Sequence, residues 1–222
     1  MNTVAKRVRV GAVMLAIQPL YILAELLTAG AVTAPYSLLH NTISDLGATT
    51  CTTIDYTVGA VDVCSPWHLV INGAFIVFGA LLAVGIYLVR DWFQPARMGT
   101  AAVVLWIVSG LSSIGTGLTP LDQALEIHAL VSLPVFIAQP LALILSGVVL
   151  GKRRGIASCA FVAGAVSVVA TIIFLGILPA GGAFGGLLER LALWPGYIWL
   201  LGLGTAMLRK NSSRKHLAKG HE

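Results

Sequence analysis

The densest run of chemically capable side chains in this chain is His40-Asn41-Thr42-Ile43-Ser44-Asp45-Leu46-Gly47. It lies in the longest connection between apolar segments, shortly before Cys51. A histidine, a serine and an aspartate so close in sequence can supply a base, a nucleophile or a ligand. Ser44-Asp45 lacks the G-x-S-x-G surroundings of a nucleophile elbow, and adjacent residues cannot form a triad by themselves. Folded as a short helix, the stretch would pair His40 with Ser44 and Asn41 with Asp45 at i,i+4, and Gly47 would stop it.

Three further places carry groups of this kind. In Ser65-Pro66-Trp67-His68, Ser65 reads as an N-cap and Pro66 as the first helical residue, so that His68 and Asn72 share a face. In Thr119-Pro120-Leu121-Asp122, Thr119 reads as the cap, and Asp122 falls near the positive end of the helix dipole, on one face with Glu126. His128 then lies about 200° round from Glu126, so that helix alone makes no metal site. Glu189-Arg190 follows the glycine-rich stretch Ala180-Gly181-Gly182-Ala183-Phe184-Gly185-Gly186, whose glycines permit either close packing or a flexible link.

Three readings of these residues compete. In the structural reading they cap helices and bond between them, and Arg190 is paired with an acid. In the binding reading Ser44, Asp45, His68, Asp122, His128, Glu189 and Arg190 converge on a small polar or lipid-headgroup ligand. In the third, His40, His68 and His128 hold zinc, and Asp45 or Asp122 is the base that activates a zinc-bound water in a membrane hydrolase. No H-x-x-x-H or H-E-x-x-H spacing supports the third. No other cofactor is implied.

The elements that must position these groups follow from composition. The chain has 222 residues, of which 57% are apolar and only 10% charged, and its mean hydropathy is +0.90. A soluble domain carries roughly 25% charged residues. Too few remain here to cover a water-facing surface, so most of the surface must face lipid. Val10–Ala29, Leu69–Val89, Met98–Leu118, Ala129–Leu150, Gly155–Leu178 and Leu191–Leu208 are each expected to cross a bilayer as a helix. Their continuous apolar runs lack the period-2 alternation of a membrane barrel. The expectation is an all-α, polytopic bundle of six transmembrane helices over residues 10–208, with an outer connection over 30–68 and basic tails over 1–9 and 209–222. Lys6 to Arg9 before an apolar run resembles a signal peptide, but the run is long and contains Glu25, so it is read as a retained helix.

Charge placement orients the bundle. Of the 14 Lys and Arg residues, all except Arg190 fall on one side of a six-helix arrangement, which places both termini in the cytoplasm of a multi-pass plasma-membrane protein. The net charge of +5 is then a topology signal. It suits anionic lipid headgroups at the cytoplasmic face and gives no reason to expect nucleic acid. His40, His68 and His128, with most of the acids, gather on the opposite side, where an oxidising environment favours a disulfide between Cys51 and Cys64. Such a bond would hold Asp45 near His68. Trp67, Trp194, Tyr197 and Trp199 read as interfacial aromatics. Gln18-Pro19-Leu20 recurs as Gln139-Pro140-Leu141, a thin hint of an internal repeat.

Ser44-Asp45-Leu46-Gly47 after the first helix, Pro120-Leu121-Asp122 with His128 at the fourth, and Gly186-Leu187-Leu188-Glu189-Arg190 before the sixth occur in an order that resembles a known family. It is that of bacterial six-helix membrane proteins catalogued as domain of unknown function 998. The likeness covers about residues 10–208. It implies a bacterial plasma-membrane protein of six helices and marks candidate positions; it carries no activity with it. The Cys51/Cys64 segment stands apart from the pattern.

Overall fold

The computed structural model describes residues 3–93, 97–177 and 179–219, with side chains as far as residue 210. The tail side chains of Arg214, Lys215, His216 and Lys219, residues 220–222, and the expected Leu178 boundary lie outside the described residues. The helices are α1 (Thr3–Ala16), α2 (Leu20–Ala29), α3 (His68–Val89), α4 (Arg97–Leu118), α5 (Leu125–Val149), α6 (Arg154–Gly176) and α7 (Gly185–Lys219). α1 and α2 together make one span, so among the described residues six spans are long and apolar enough to cross a membrane. Inside hydrocarbon every backbone N–H and C=O must be satisfied within the segment, which is why these runs are helical.

The spans pack in sequence order as a closed ring, α1 against α3, then α3 to α4, α5, α6 and α7, and α7 back against α1. Side chains fill the middle in two clusters. Toward the end where α1 begins, Trp106 stacks on Trp199 with centroids 5.8 Å apart, among Leu15, Leu82, Ile86, Leu143 and Leu203. Toward the other end, Tyr21 packs on Phe75 and Tyr197. The expectation of interfacial aromatics is therefore corrected for Tyr197 and Trp199, which are buried in the ring. Large apolar side chains such as Leu69, Leu130, Val162 and Ile172 point outward and stay exposed, as lipid-facing residues do.

α3 and α4 approach each other closely at two glycines. A Cβ on Gly79 would lie 2.6 Å from the Gly110 carbonyl, and one on Gly110 2.5 Å from the Gly79 carbonyl, so α3 and α4 touch backbone to backbone. Pro19 breaks the first span. Having no N–H, it leaves the helical ladder open, and the buried Gln18 side chain donates instead to the Met14 and Phe78 carbonyls, each at 3.3 Å. Gln139 likewise reaches across to α7, donating to the Leu193 carbonyl at 2.8 Å. α5 nevertheless runs unbroken through Pro134 and Pro140.

The end carrying the interhelical loops, called the loop end below, holds one element absent from the all-helical expectation. Thr52–Tyr56 (β1) and Gly59–Val63 (β2) pair antiparallel, with Thr52 opposite Val63 and Tyr56 opposite Gly59. The Cys51–Cys64 disulfide closes the open end of this hairpin, Cα to Cα 4.1 Å. Its other end reaches the 179–184 loop: a Cβ on Gly59 would lie 3.1 Å from the Gly181 carbonyl.

Candidate functional site

The site is built on the segment between α2 and the hairpin. His40–Gly47 is not the short helix expected. Residues 38–40 form a turn, and Ser44–Gly47 is a single 3₁₀ turn, so the i,i+4 pairs of the helical reading do not form. The reason is local. Thr42 Oγ1 accepts the Asp45 N–H at 3.2 Å, and Asp45 Oδ2 accepts the Thr42 N–H at 2.7 Å. This reciprocal capping box starts the turn at Thr42. Asn72 on α3 donates to the Gly47 carbonyl at 2.8 Å and holds the other end.

Asp45 is 3% exposed, and its second oxygen accepts the Tyr56 hydroxyl from the hairpin. Burial raises the Asp45 pKa above the usual carboxylate range; the bonds from Tyr56 and Thr42 offset this only in part. Tyr56 is raised in turn, by its own burial and by the charge of Asp45, so it remains a phenol and a donor. The disulfide thus secures the strand that covers Asp45. It was expected to hold Asp45 near His68; the contact found on α3 is the one from Asn72 to Gly47.

α7 begins at Gly185, well before the expected Leu191, which brings Glu189 and Arg190 inside the helix. Its first N–H groups need acceptors. Gly186 and Leu187 donate to the His40 and Leu39 carbonyls at 3.1 and 3.0 Å. A Cβ on Gly186 would fall 2.1 Å from the Asn41 carbonyl, so only glycine allows this approach. Close packing is therefore what the glycine-rich stretch serves here.

Arg190 is the hub of the loop end. It donates to Glu25 at 2.8 Å, to the Tyr36 hydroxyl at 2.6 Å, and to the Leu38, Asn41 and Gly186 carbonyls. The acid paired with Arg190 is Glu25, which also accepts from Trp194 at 2.9 Å. Tyr36 has its pKa raised by burial despite the opposing charge of Arg190. Glu189 accepts the Ile43 N–H at 2.5 Å.

Asp122 lies in the turn before α5. That helix starts at Leu125, after residues 119–124, so Thr119 does not cap it and Asp122 and Glu126 are not on one helical face. One Asp122 oxygen accepts from the backbone N–H and hydroxyl of both Thr49 and Thr50, at 2.9–3.0 Å. Burial raises its pKa, but these bonds together prevail and lower it.

His128, on the first turn of α5 and 6% exposed, faces inward. Its Nδ1 lies 2.6 Å from the Thr119 carbonyl and its Nε2 2.9 Å from Ser44 Oγ. Ser44, His128, Glu189, Thr42 and Tyr56 line one cavity of about 290 Å³. Leu125, Leu133, Phe136 and Leu175 form its apolar wall.

The structure therefore brings Ser44, Asp45, His128, Glu189 and Arg190 into one region, with Asp122 fixing the adjoining segment. His68 stands apart from the cavity. α3 begins at His68 itself, not at Pro66, and His68 Nδ1 lies 3.0 Å from the Ser65 carbonyl. His40 is exposed beside Phe184. The zinc trio His40, His68 and His128 is not assembled: among the described residues no group of three or more His, Cys, Asp and Glu side chains could hold a metal ion. Each histidine has different partners: His40 packs beside Phe184, His68 meets the Ser65 carbonyl, and His128 meets Thr119 and Ser44. Glu25, Tyr36 and Tyr56 enter the site unforeseen; only Thr42-Ile43-Ser44-Asp45, matching [ST]-x-x-[DE], carried a usable local signal.

No curated protein and no solved structure matches this chain. One family model does, over residues 15–206. With six apolar spans and this span of agreement, the chain belongs to the DUF998 family of proteins of unknown function.

Proposed function

We propose that the cavity at the loop end binds an amphiphile from the outer leaflet of a plasma membrane, its polar group at Ser44, His128 and Glu189. The observation that carries this reading is the mixed lining of the 290 Å³ cavity, polar on one wall and apolar on the other. Ligand pockets combine a few placed polar groups with a hydrophobic surround in this way. The volume suits a headgroup and the first carbons of a chain. The apolar wall is contributed by α5 and α6, both lipid-facing spans, which favours a lipid over a free solute.

An outward site with cytoplasmic termini is supported by the row of basic residues at the opposite end and by the Cys51–Cys64 disulfide at this one. Arg97 and Arg154 open their helices and Lys152 lies in the turn between α5 and α6, where anionic headgroups would meet them. This spacing at bilayer level supports a membrane partner and not nucleic acid.

The test is photocrosslinking of a lipid carrying a diazirine near its headgroup, with the protein in nanodiscs. Ala129 lines the cavity, and Ala129→Phe fills it. Crosslinking to the cavity is expected to fall at least about tenfold, a loss of roughly 1.4 kcal/mol of affinity. Equal crosslinking of Ala129→Phe and the parent protein refutes the reading.

A further inference from the structure

We propose that Ser44 is a nucleophile and His128 its general base, acting on the acyl group of an ester-linked amphiphile held in the loop-end cavity. The proposal rests on the amphiphile-binding reading of that cavity. The proton placement follows from geometry. A carbonyl oxygen can only accept, so the 2.6 Å contact with Thr119 puts the proton of a neutral imidazole on Nδ1. Nε2 then presents its lone pair to Ser44 Oγ at 2.9 Å, and the serine hydroxyl is the donor. This is the arrangement of a serine and its base before attack. Thr119 is the positioning group that elsewhere would be a carboxylate.

Asp45 does not fill that role. Its two oxygens are taken by the Thr42 N–H and the Tyr56 hydroxyl. It acts with Asn72 to hold the backbone on which Ser44 stands. Both reacting side chains line the cavity, and the wall of Leu125, Leu133 and Phe136 would take the acyl chain. Thr42 and Ser132 also line the cavity; the Ser132 hydroxyl donates to the Ala129 carbonyl at 3.2 Å and would have to turn from it to meet a developing oxyanion.

In the first step Ser44 Oγ bonds to the ester carbonyl carbon and its proton passes to His128 Nε2. The carbon–oxygen bond to the alcohol then breaks, and the alcohol leaves with that proton. In the second, water adds to the acyl-serine carbon and gives a proton to His128. The bond to Oγ breaks, Oγ recovers the proton, and the carboxylic acid departs. No external oxidant or reductant is required.

The experiment uses the full chain in nanodiscs with an alkyl fluorophosphonate, which forms an Oγ–phosphorus bond and expels fluoride. The adduct is expected on Ser44 by peptide mass spectrometry and absent in Ser44→Ala. His128→Gln keeps an amide able to donate and accept but cannot take up the proton, so labelling should slow about 100-fold or more. Diazirine-lipid crosslinking is read on the same samples. Crosslinking that persists while the parent protein stays unlabelled at Ser44 overturns the catalytic proposal and leaves the binding reading standing. Labelling of His128→Gln at the parental rate also overturns it, because a purely structural contact would do the same. Should Ser44→Ala not fold, the His128→Gln rate decides. Loss of cavity crosslinking in the parent protein, with or without label, defeats the binding reading instead.

Discussion

Replacing Arg190 by methionine tests the electrostatic centre of the loop end. The Arg190 side chain is 4% exposed and that of Glu25 is fully buried. Removing one partner of such a pair strands the other charge, which costs about 3–5 kcal/mol, whereas exposed pairs contribute at most about 1 kcal/mol. Two loop carbonyls, Leu38 and Asn41, also lose their donor. The buried Asn41 carbonyl, once orphaned, costs about 1–3 kcal/mol, and the part-buried Leu38 carbonyl less, because water can replace its donor. Arg190→Met should therefore lower stability by at least about 3 kcal/mol, near a hundredfold in the folded-to-unfolded ratio. The double variant Glu25→Gln/Arg190→Met removes the stranded charge and should recover roughly half, since the carbonyls stay unpaired. The assay is thermal and denaturant unfolding in one detergent, followed by tryptophan fluorescence. A loss below about 1 kcal/mol for Arg190→Met, or no recovery in the double variant, refutes the reasoning.

Two further perturbations follow from the same end and the ring. Asp122 has a folded pKa below its ordinary value of about 3.9, so its contribution is present above that pH and lost as pH falls through the lowered value. Asp45 is raised, so its contribution is present below about pH 4 and lost as pH rises through the raised value. Melting curves against pH should thus flatten on the acid side for Asp122→Asn and above about pH 4 for Asp45→Asn; superposable curves defeat the assignment. Gly110→Ala should cost about 1–3 kcal/mol, because its Cβ meets the Gly79 carbonyl at 2.5 Å. Gly73→Ala, with nothing within 4 Å, should be neutral or stabilising by about 0.5–1 kcal/mol in the same unfolding assay.

The spans were legible because a long apolar run has one stable solution in lipid, and Val10 to Leu208 contains six of them. Their polar ends were not. Gly185 to Arg190 reads as a connection because of its glycines and charges, yet it is the first turns of a helix, whereas the helix expected to start after Thr119 begins only at Leu125. The first N–H groups of α7 find acceptors in the distant Leu39 and His40 carbonyls, which no local pattern announces. The hairpin has a signal in Thr52–Tyr56, with its β-branched residues, but a strand of five residues is too short to stand out from a loop by pattern alone. Glu25 was noticed as an acid in an apolar helix. Its pairing with Arg190 spans 165 positions and exists only in three dimensions. Ser44 has no local motif around it. Its partner His128 is 84 positions away, so sequence neighbours could not reveal it.

The distance between Glu25 and Arg190 along the chain also bears on biogenesis. As the polypeptide is inserted from its N-terminus, the first span enters the bilayer carrying a carboxyl group whose cation belongs to the last span. Until α7 arrives, that carboxyl has neither Arg190 nor Trp194 beside it, and the carbonyls of Leu38 and Asn41 have no guanidinium to hold them. Arrival of α7 closes the ring, docks the loop and quenches the charge in one event. Chains that stall earlier display an unpaired acid near the membrane surface, a chemical mark by which an unfinished molecule differs from a finished one.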